Sequence, residues 1–175
     1  MYLAIIGENP IENGMHIIGS HVDSPRLDLR PNPLYEDGGL AYFKTHYYGG
    51  IKKYQWTTIP LSMHGVIVKT SGEKIEINIG EDENDPIFTI TDLLPHLADE
   101  QMEKKLKNGV NGEDLNLLIG SIPYGDKKQS QRVKLNILNI LNQKYGITEE
   151  DLTSAEIELV PAFKARTMGL DGSMI

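Results

Sequence analysis

The tract Gly19-Ser20-His21-Val22-Asp23-Ser24-Pro25 carries the residue types best suited to chemistry. It follows an apolar run at 15–19 that reads as a strand. Side chains at i and i+2 of an extended segment point to the same side, so His21 and Asp23 converge where that strand ends, the place where open α/β sheets put their ligand sites. A neutral imidazole can bind zinc through one nitrogen while a nearby carboxylate fixes the other in the required tautomer. Spacing alone leaves a second role open, that of a hydrogen-bonded histidine closing a strand. The chain contains no cysteine, so a thiolate metal site, a disulfide framework and a cysteine nucleophile are all excluded. Ser20, Ser24 and Ser173 have no Ser-His-Asp arrangement around them, which argues against a serine hydrolase.

The elements that must position these residues follow from pattern. Residues 2–6 and 15–19 are apolar runs separated by Asn9-Pro10 and Asn13-Gly14, the signature of two strands joined by a turn. Pro25, Pro31 and Pro33 each remove a backbone donor and restrict the preceding residue, which predicts a loop and a domain boundary. From Ala41 to Gly80 the text is strand-like, with runs at 42–48, 56–61 and 65–70. At the end of that tract Ile75, Ile77 and Ile79 alternate with Lys74, Glu76 and Asn78, giving one wet face. Thr91-Asp92 caps a helix that carries Leu93, Leu94 and Leu97 and stops at Asn108-Gly109. A second helix is predicted from about 130 to 145, with Val133, Ile137, Ile140 and Leu141 on one face and Gly146 as its end. Residues 156–160 read as a further strand.

Composition narrows the function classes. The 175 residues carry 17 basic and 25 acidic side chains, a net charge of −8, with a pI near 5.1. That balance argues against nucleic-acid binding, which needs clustered Lys and Arg to displace counterions. No stretch approaches the ~20 apolar residues of a membrane-spanning helix, and the apolar opening at residues 2–6 lacks the basic flank of a secretory signal. The expectation is a cytoplasmic protein with no membrane partner. The acidic run Glu81-Asp82-Glu83-Asn84-Asp85 lacks the glycine and terminal glutamate of a calcium loop and reads as a solvated turn. The aromatics Tyr42, Phe43, Tyr47, Tyr48 and Trp56 suit an interface or a β core equally.

Four longer motifs add a resemblance. HVDSPRLDLRPNPLYED (21–37), KTHYYGGIKKYQW (44–56), INIGEDENDPIFTITDLLPHLA (77–98) and ELVPAFKARTMGLDGSMI (158–175) together make the chain resemble the M18, or aspartyl aminopeptidase, family of metallopeptidases over essentially its whole length. The resemblance implies a cytoplasmic aminopeptidase acting on peptide substrates, with a catalytic site of two zinc ions. It implies an α/β fold in which a partial catalytic sheet is interrupted by an inserted β-rich α+β dimerisation domain, and assembly into dimers and dodecamers. By the motif match His21 corresponds to the first zinc ligand and Asp23 to the carboxylate that orients it. His96, in Leu94-Pro95-His96-Leu97-Ala98, resembles a motif of the inserted domain from which a histidine can reach the neighbouring subunit's site. His16, His46 and His64 are expected to be structural.

The resemblance divides the chain into an N-terminal catalytic piece at 1–31, the inserted domain at 32–160 and the start of a return to the catalytic domain at 161–175. The remaining ligands of the family's site fall beyond the last motif, so the expectation is the middle of a longer peptidase, inactive by itself, because catalytic zinc takes about three protein ligands. The rival reading is a non-catalytic oligomerisation or interaction module derived from the insertion.

Overall fold

The computed structural model describes residues 4–21 and 24–175. Its centre is a six-stranded antiparallel sheet. The strands are β1 (Arg26–Asp37), β2 (Leu40–Tyr48), β3 (Leu61–Val68), β4 (Lys74–Ile79), β5 (Leu117–Gly120) and β6 (Glu156–Pro161), in the spatial order β4-β3-β6-β1-β2-β5. Together with one long helix this makes a fold of mixed α and β, as the sequence led us to expect.

The long strand β1 corrects the reading of the Pro-rich passage as a loop. Arg26 to Leu29 pair with Tyr48 to Thr45, and pairing resumes at Leu34 opposite Phe43 after a register shift. Pro31 and Pro33 fall in that interruption, together with Asn32 at φ 51°. Proline lacks the N–H that a ladder needs, and a bulge is the place in a strand that does not ask for one. β1 also starts ahead of the expected boundary at 31/32, so the sheet incorporates residues from both sides of it.

One face of the sheet is the core. Leu27 and Leu29 of β1, Ala41 and Phe43 of β2, Met63 and Ile67 of β3, and Leu159 of β6 are buried there with Leu117 of β5. The helix α3 (Arg132–Tyr145) covers it, capped by Gly146 in the left-handed region at φ 62°. Before it come the one-turn helices α1 (Asp99–Met102) and α2 (Leu106–Gly109). Val133 is buried, and Ile137, Leu138, Leu141 and Tyr145 pack against the core. Ile140 instead stays 46 % exposed. At about 100° per residue it lies a quarter-turn from Leu141, where this apolar stripe is centred, so the stripe rolls away from it.

Three other expectations change. Residues 4–6 and 15–19 are irregular, with one 3-10 turn at Ile11–Asn13 between them, and Ile6 and Ile18 are 95 % and 94 % exposed. A strand needs a neighbour for its backbone groups, and among the described residues these runs have none. The run 56–61 is no strand before Leu61, because Thr58 adopts φ 63° and its N–H turns aside to donate to the Ile90 carbonyl at 2.8 Å. The helix expected over 92–108 is divided into the 3-10 turn Pro95–Leu97 and the single turns α1 and α2. Pro95 cannot donate within a helix, and Lys105 adopts an extended ψ of 139° that breaks the run before Leu106.

Candidate functional site

His21 lies in irregular, exposed chain ahead of β1. Asp23, the carboxylate expected to orient it, lies outside the described residues, as does Val22. Among the described residues no group of three or more His, Asp or Glu side chains converges in a way that could hold a metal ion. Among the described residues His21 therefore belongs to no set of the about three protein ligands that a catalytic zinc takes.

His96 sits at the centre of the 3-10 turn Pro95–Leu97 and is exposed. Its neighbours Leu93, Leu94, Leu97, Met102 and Leu106 are all large apolar side chains facing solvent. Asp92 anchors this arm. Its carboxylate accepts hydrogen bonds from the Leu93 N–H at 2.8 Å, the Gln101 amide at 2.9 Å and the Thr57 hydroxyl at 3.3 Å. Behind the arm the buried Ala98 fixes it to the domain. Asp92 thus holds the arm at its base while His96 is presented at its tip.

Strand register assembles a second set of polar groups on the sheet face opposite the core. Asn78, His64, Glu158, Asp28 and His46 stand side by side across β4, β3, β6, β1 and β2. The guanidinium of Arg26 bridges the two carboxylates, 2.8 Å from Asp28 and 3.1 Å from Glu158, and lies over the Tyr48 ring. The hydrogen bond to Asp28 and the charges of both acids raise the Arg26 pKa further above its ordinary value. His64 Nε2 meets the Ser62 hydroxyl at 3.0 Å and Glu81 at 3.1 Å, while His46 Nε2 is 3.7 Å from Asp28. Both histidines have polar partners, which is the structural role expected of them. The row itself escaped sequence reading because alternation identifies which residues share a face of one strand, but not which strands are neighbours.

The acidic run is exposed from Glu81 to Asn84, as the sequence led us to expect, and Asp85 closes it into a turn. Asp85 accepts hydrogen bonds from the N–H groups of Gly80 at 3.0 Å and Asp82 at 3.4 Å, and the bond from Gly80 is the chief cause of its lowered pKa. The aromatic set is divided in its burial. Phe43 and Trp56 are buried, whereas Tyr47 and Tyr48 are about half exposed.

Comparison with known proteins identifies the family. The family model described as aminopeptidase I zinc metalloprotease (M18) matches residues 2–175. A probable M18 family aminopeptidase 1 of Clostridium acetobutylicum is 58 % identical over 175 residues, covering 100 % of this chain and 38 % of the relative. The crystal structure of an M18-family aminopeptidase from Thermotoga maritima superposes with a TM-score of 0.83 at 56 % identity, over 87 % of this chain and 33 % of that one. Aminopeptidase I from Clostridium acetobutylicum superposes with a TM-score of 0.82 at 56 % identity, over 96 % of this chain and 37 % of that one. The chain thus spans little more than a third of the length of these relatives. With the model match running through both the His21 tract and the sheet, the chain belongs to the M18 aminopeptidase family.

Proposed function

We propose that this chain is part of a zinc-dependent aminopeptidase that removes N-terminal residues from peptides. The observation that carries the reading is the match to the M18 family across residues 2–175, which takes in the His21 tract as well as the sheet and the His96 arm. In that reading His21 donates one imidazole nitrogen to a site of two zinc ions, and Asp23 holds its other nitrogen and sets the tautomer. Zinc supplies an activated water when bound. The rest of the ligand set comes from outside these residues.

In the same reading the chain divides into a catalytic piece at 1–31, an inserted dimerisation domain at 32–160 and a return at 161–175, with β1 carrying the chain across the first boundary. The exposed isoleucines of 4–18 suit a segment that packs into a catalytic domain, and the exposed leucines around His96 suit a subunit interface, which favours a homo-oligomer, a dimer building into a dodecamer. His96 would then approach a neighbouring subunit's site. Among the described residues no helix is long and apolar enough to cross a membrane, and a cytoplasmic location fits the acidic, cysteine-free composition.

The test is zinc-dependent hydrolysis of a panel of aminoacyl chromogenic substrates by the 175-residue chain and by the same gene extended at both ends. Release of chromophore by the extended protein, with none from the 175 residues, supports the reading. A folded, zinc-loaded extended protein that cleaves no member of the panel overturns it.

A further inference from the structure

A cleft of about 370 Å³ opens on the polar side of the sheet, lined by Arg30, Tyr35, Lys44, Glu113 and Asn116. It lies where β1 is interrupted, beside the left-handed Asn32 and the two prolines. Bulges re-aim side chains, and here the first residue inside the interruption, directly after the Leu29 pair, is Arg30. Its Nε donates to the Thr45 carbonyl at 3.0 Å, which fixes the guanidinium against β2 and leaves the other end of the fork facing the cleft. That end is bonded to the Glu113 carboxylate at 2.7 Å. Glu113 is poorly held in return, since its side chain is 77 % exposed.

Lys44 brings a second cation. Its ammonium lies 5.4 Å from the centre of the Tyr35 ring, and among the described residues it forms no ion pair. Tyr35 is stacked on Tyr42, with ring centres 5.4 Å apart and planes 21° apart, so the wall beside the cations is flat and aromatic. Burial, then the neighbouring Tyr42 and Asp37, raise the Tyr35 pKa above its ordinary value. Two cations therefore line one cleft with an aromatic ring on a chain whose net charge is −8, and among the described residues the only acid lining it is an exposed carboxylate bonded to the guanidinium.

We propose that this cleft is a binding site for a small carboxylate, preferably one attached to a flat apolar group, and that Glu113 is the internal carboxylate it displaces. The guanidinium fork matches a carboxylate in geometry, as its bond to Glu113 illustrates, and Lys44 supplies the charge that an incoming anion gains over Glu113. The Tyr35 ring, with Lys44 over it and Tyr42 stacked on it, supplies an apolar edge beside the cations. The proposal does not rest on the zinc chemistry proposed above.

The test is titration of the isotopically labelled 175-residue chain with benzoate, acetate and inorganic phosphate at constant ionic strength, followed by backbone and side-chain resonances. Benzoate should give saturable shifts confined to Arg30, Tyr35, Lys44, Glu113 and Asn116, and acetate weaker shifts at the same residues. Glu113→Gln should tighten benzoate about two- to fivefold by removing the competing charge, and Lys44→Gln should weaken it by a similar factor. Both substitutions are at exposed positions, so neither tests folding instead of binding. Shifts spread over all surface cations, or an unchanged affinity in Glu113→Gln, would overturn the proposal. Phosphate binding as tightly as benzoate would overturn the assignment to carboxylates.

Discussion

The Glu36 carboxylate accepts a hydrogen bond from the backbone N–H of Val133 at 2.8 Å, and the same oxygen accepts from Lys134 at 2.9 Å. The residue before α3, Gln131, is left-handed and provides no side-chain cap. A strand residue almost a hundred positions away therefore performs the capping that a local Ser or Asp usually performs, and its charge sits at the positive end of the helix dipole. The bond also fixes how α3 lies on β1.

Glu36→Ala should consequently cost about 1–2 kcal/mol, the range of a lost cap with a favourable charge. Glu36→Gln should recover part of it, since the amide oxygen still accepts but the charge is gone. Urea unfolding followed by far-ultraviolet circular dichroism would give both values. A loss of less than a few tenths of a kcal/mol in Glu36→Ala would show that the cap contributes nothing.

Close approach of two strands supplies a sharper case. Gly65 pairs with Ile157 where β3 meets β6, and a Cβ placed on it would stand 2.0 Å from the Glu156 carbonyl oxygen and 2.8 Å from the Ile157 Cα. Both obstacles are backbone and cannot turn away. Gly65→Ala should therefore separate β3 from β6 and cost at least about 3 kcal/mol, at the severe end for single substitutions. Gly50→Ala is the control, because nothing lies within 4 Å of its added carbon. Thermal unfolding should show a large fall in the first variant and almost none in the second.

These two contacts illustrate what a sequence can and cannot disclose. The helix α3 was legible, since its apolar period and Gly146 are local signals, and β4 was legible from the alternation of Ile75, Ile77 and Ile79. β1 was not, because Pro31 and Pro33 speak against a strand unless a bulge is known to receive them. The runs at 4–6 and 15–19 have strand patterns without strand neighbours, and pattern carries no knowledge of neighbours. At the site, the tract around His21 was legible as a motif, while the row from Asn78 to His46 and the cleft at Arg30 depend on strand order. Glu36 and Gly65 escaped for the same reason, as their partners are fixed only by topology.

Asp151 predicts a pH dependence. It is buried, and it accepts hydrogen bonds from the N–H and hydroxyl of Thr148 at 2.8 and 2.9 Å and, more weakly, from the Thr70 N–H at 3.4 Å. The bonds from Thr148, chiefly its backbone N–H, hold the pKa below the ordinary carboxylate value despite burial, which acts the other way. A pKa lowered by folding means that the stabilisation is fully present above the unfolded value of about 3.9 and is lost as the pH falls through the folded value. Asp151→Asn should thus be less stable than the parent at pH 7, and the gap should close on acidification below about pH 4. Denaturant midpoints measured from pH 7 to pH 2.5 check this, and a gap independent of pH would refute the assignment.

The last prediction concerns the arm that carries His96. Asp92 accepts from its own neighbour Leu93 and from Gln101 beyond the turn, while the Thr57 hydroxyl, in the segment before β3, shares its one proton between Asp92 at 3.3 Å and the Tyr54 carbonyl at 3.1 Å. The arm's internal backbone bonds, Leu97 to Leu94, Ala98 to Pro95 and Met102 to Ala98, are short-range, and of the residues that make them Ala98 alone is buried, so their protection depends on this anchor more than on packing. Asp92→Ala should therefore speed hydrogen exchange at Leu97, Ala98 and Met102 by about tenfold, the equivalent of roughly 1.4 kcal/mol and within the range for hydrogen bonds to a charged group. Exchange across the β1–β2 ladder should be unchanged, because none of its bonds passes through the arm. Equal acceleration in both regions would mean that Asp92 supports the whole domain, and no acceleration would mean that the arm is held by Ala98 alone. A local effect would make Asp92 the residue that sets how rigidly His96 is offered to whatever it meets.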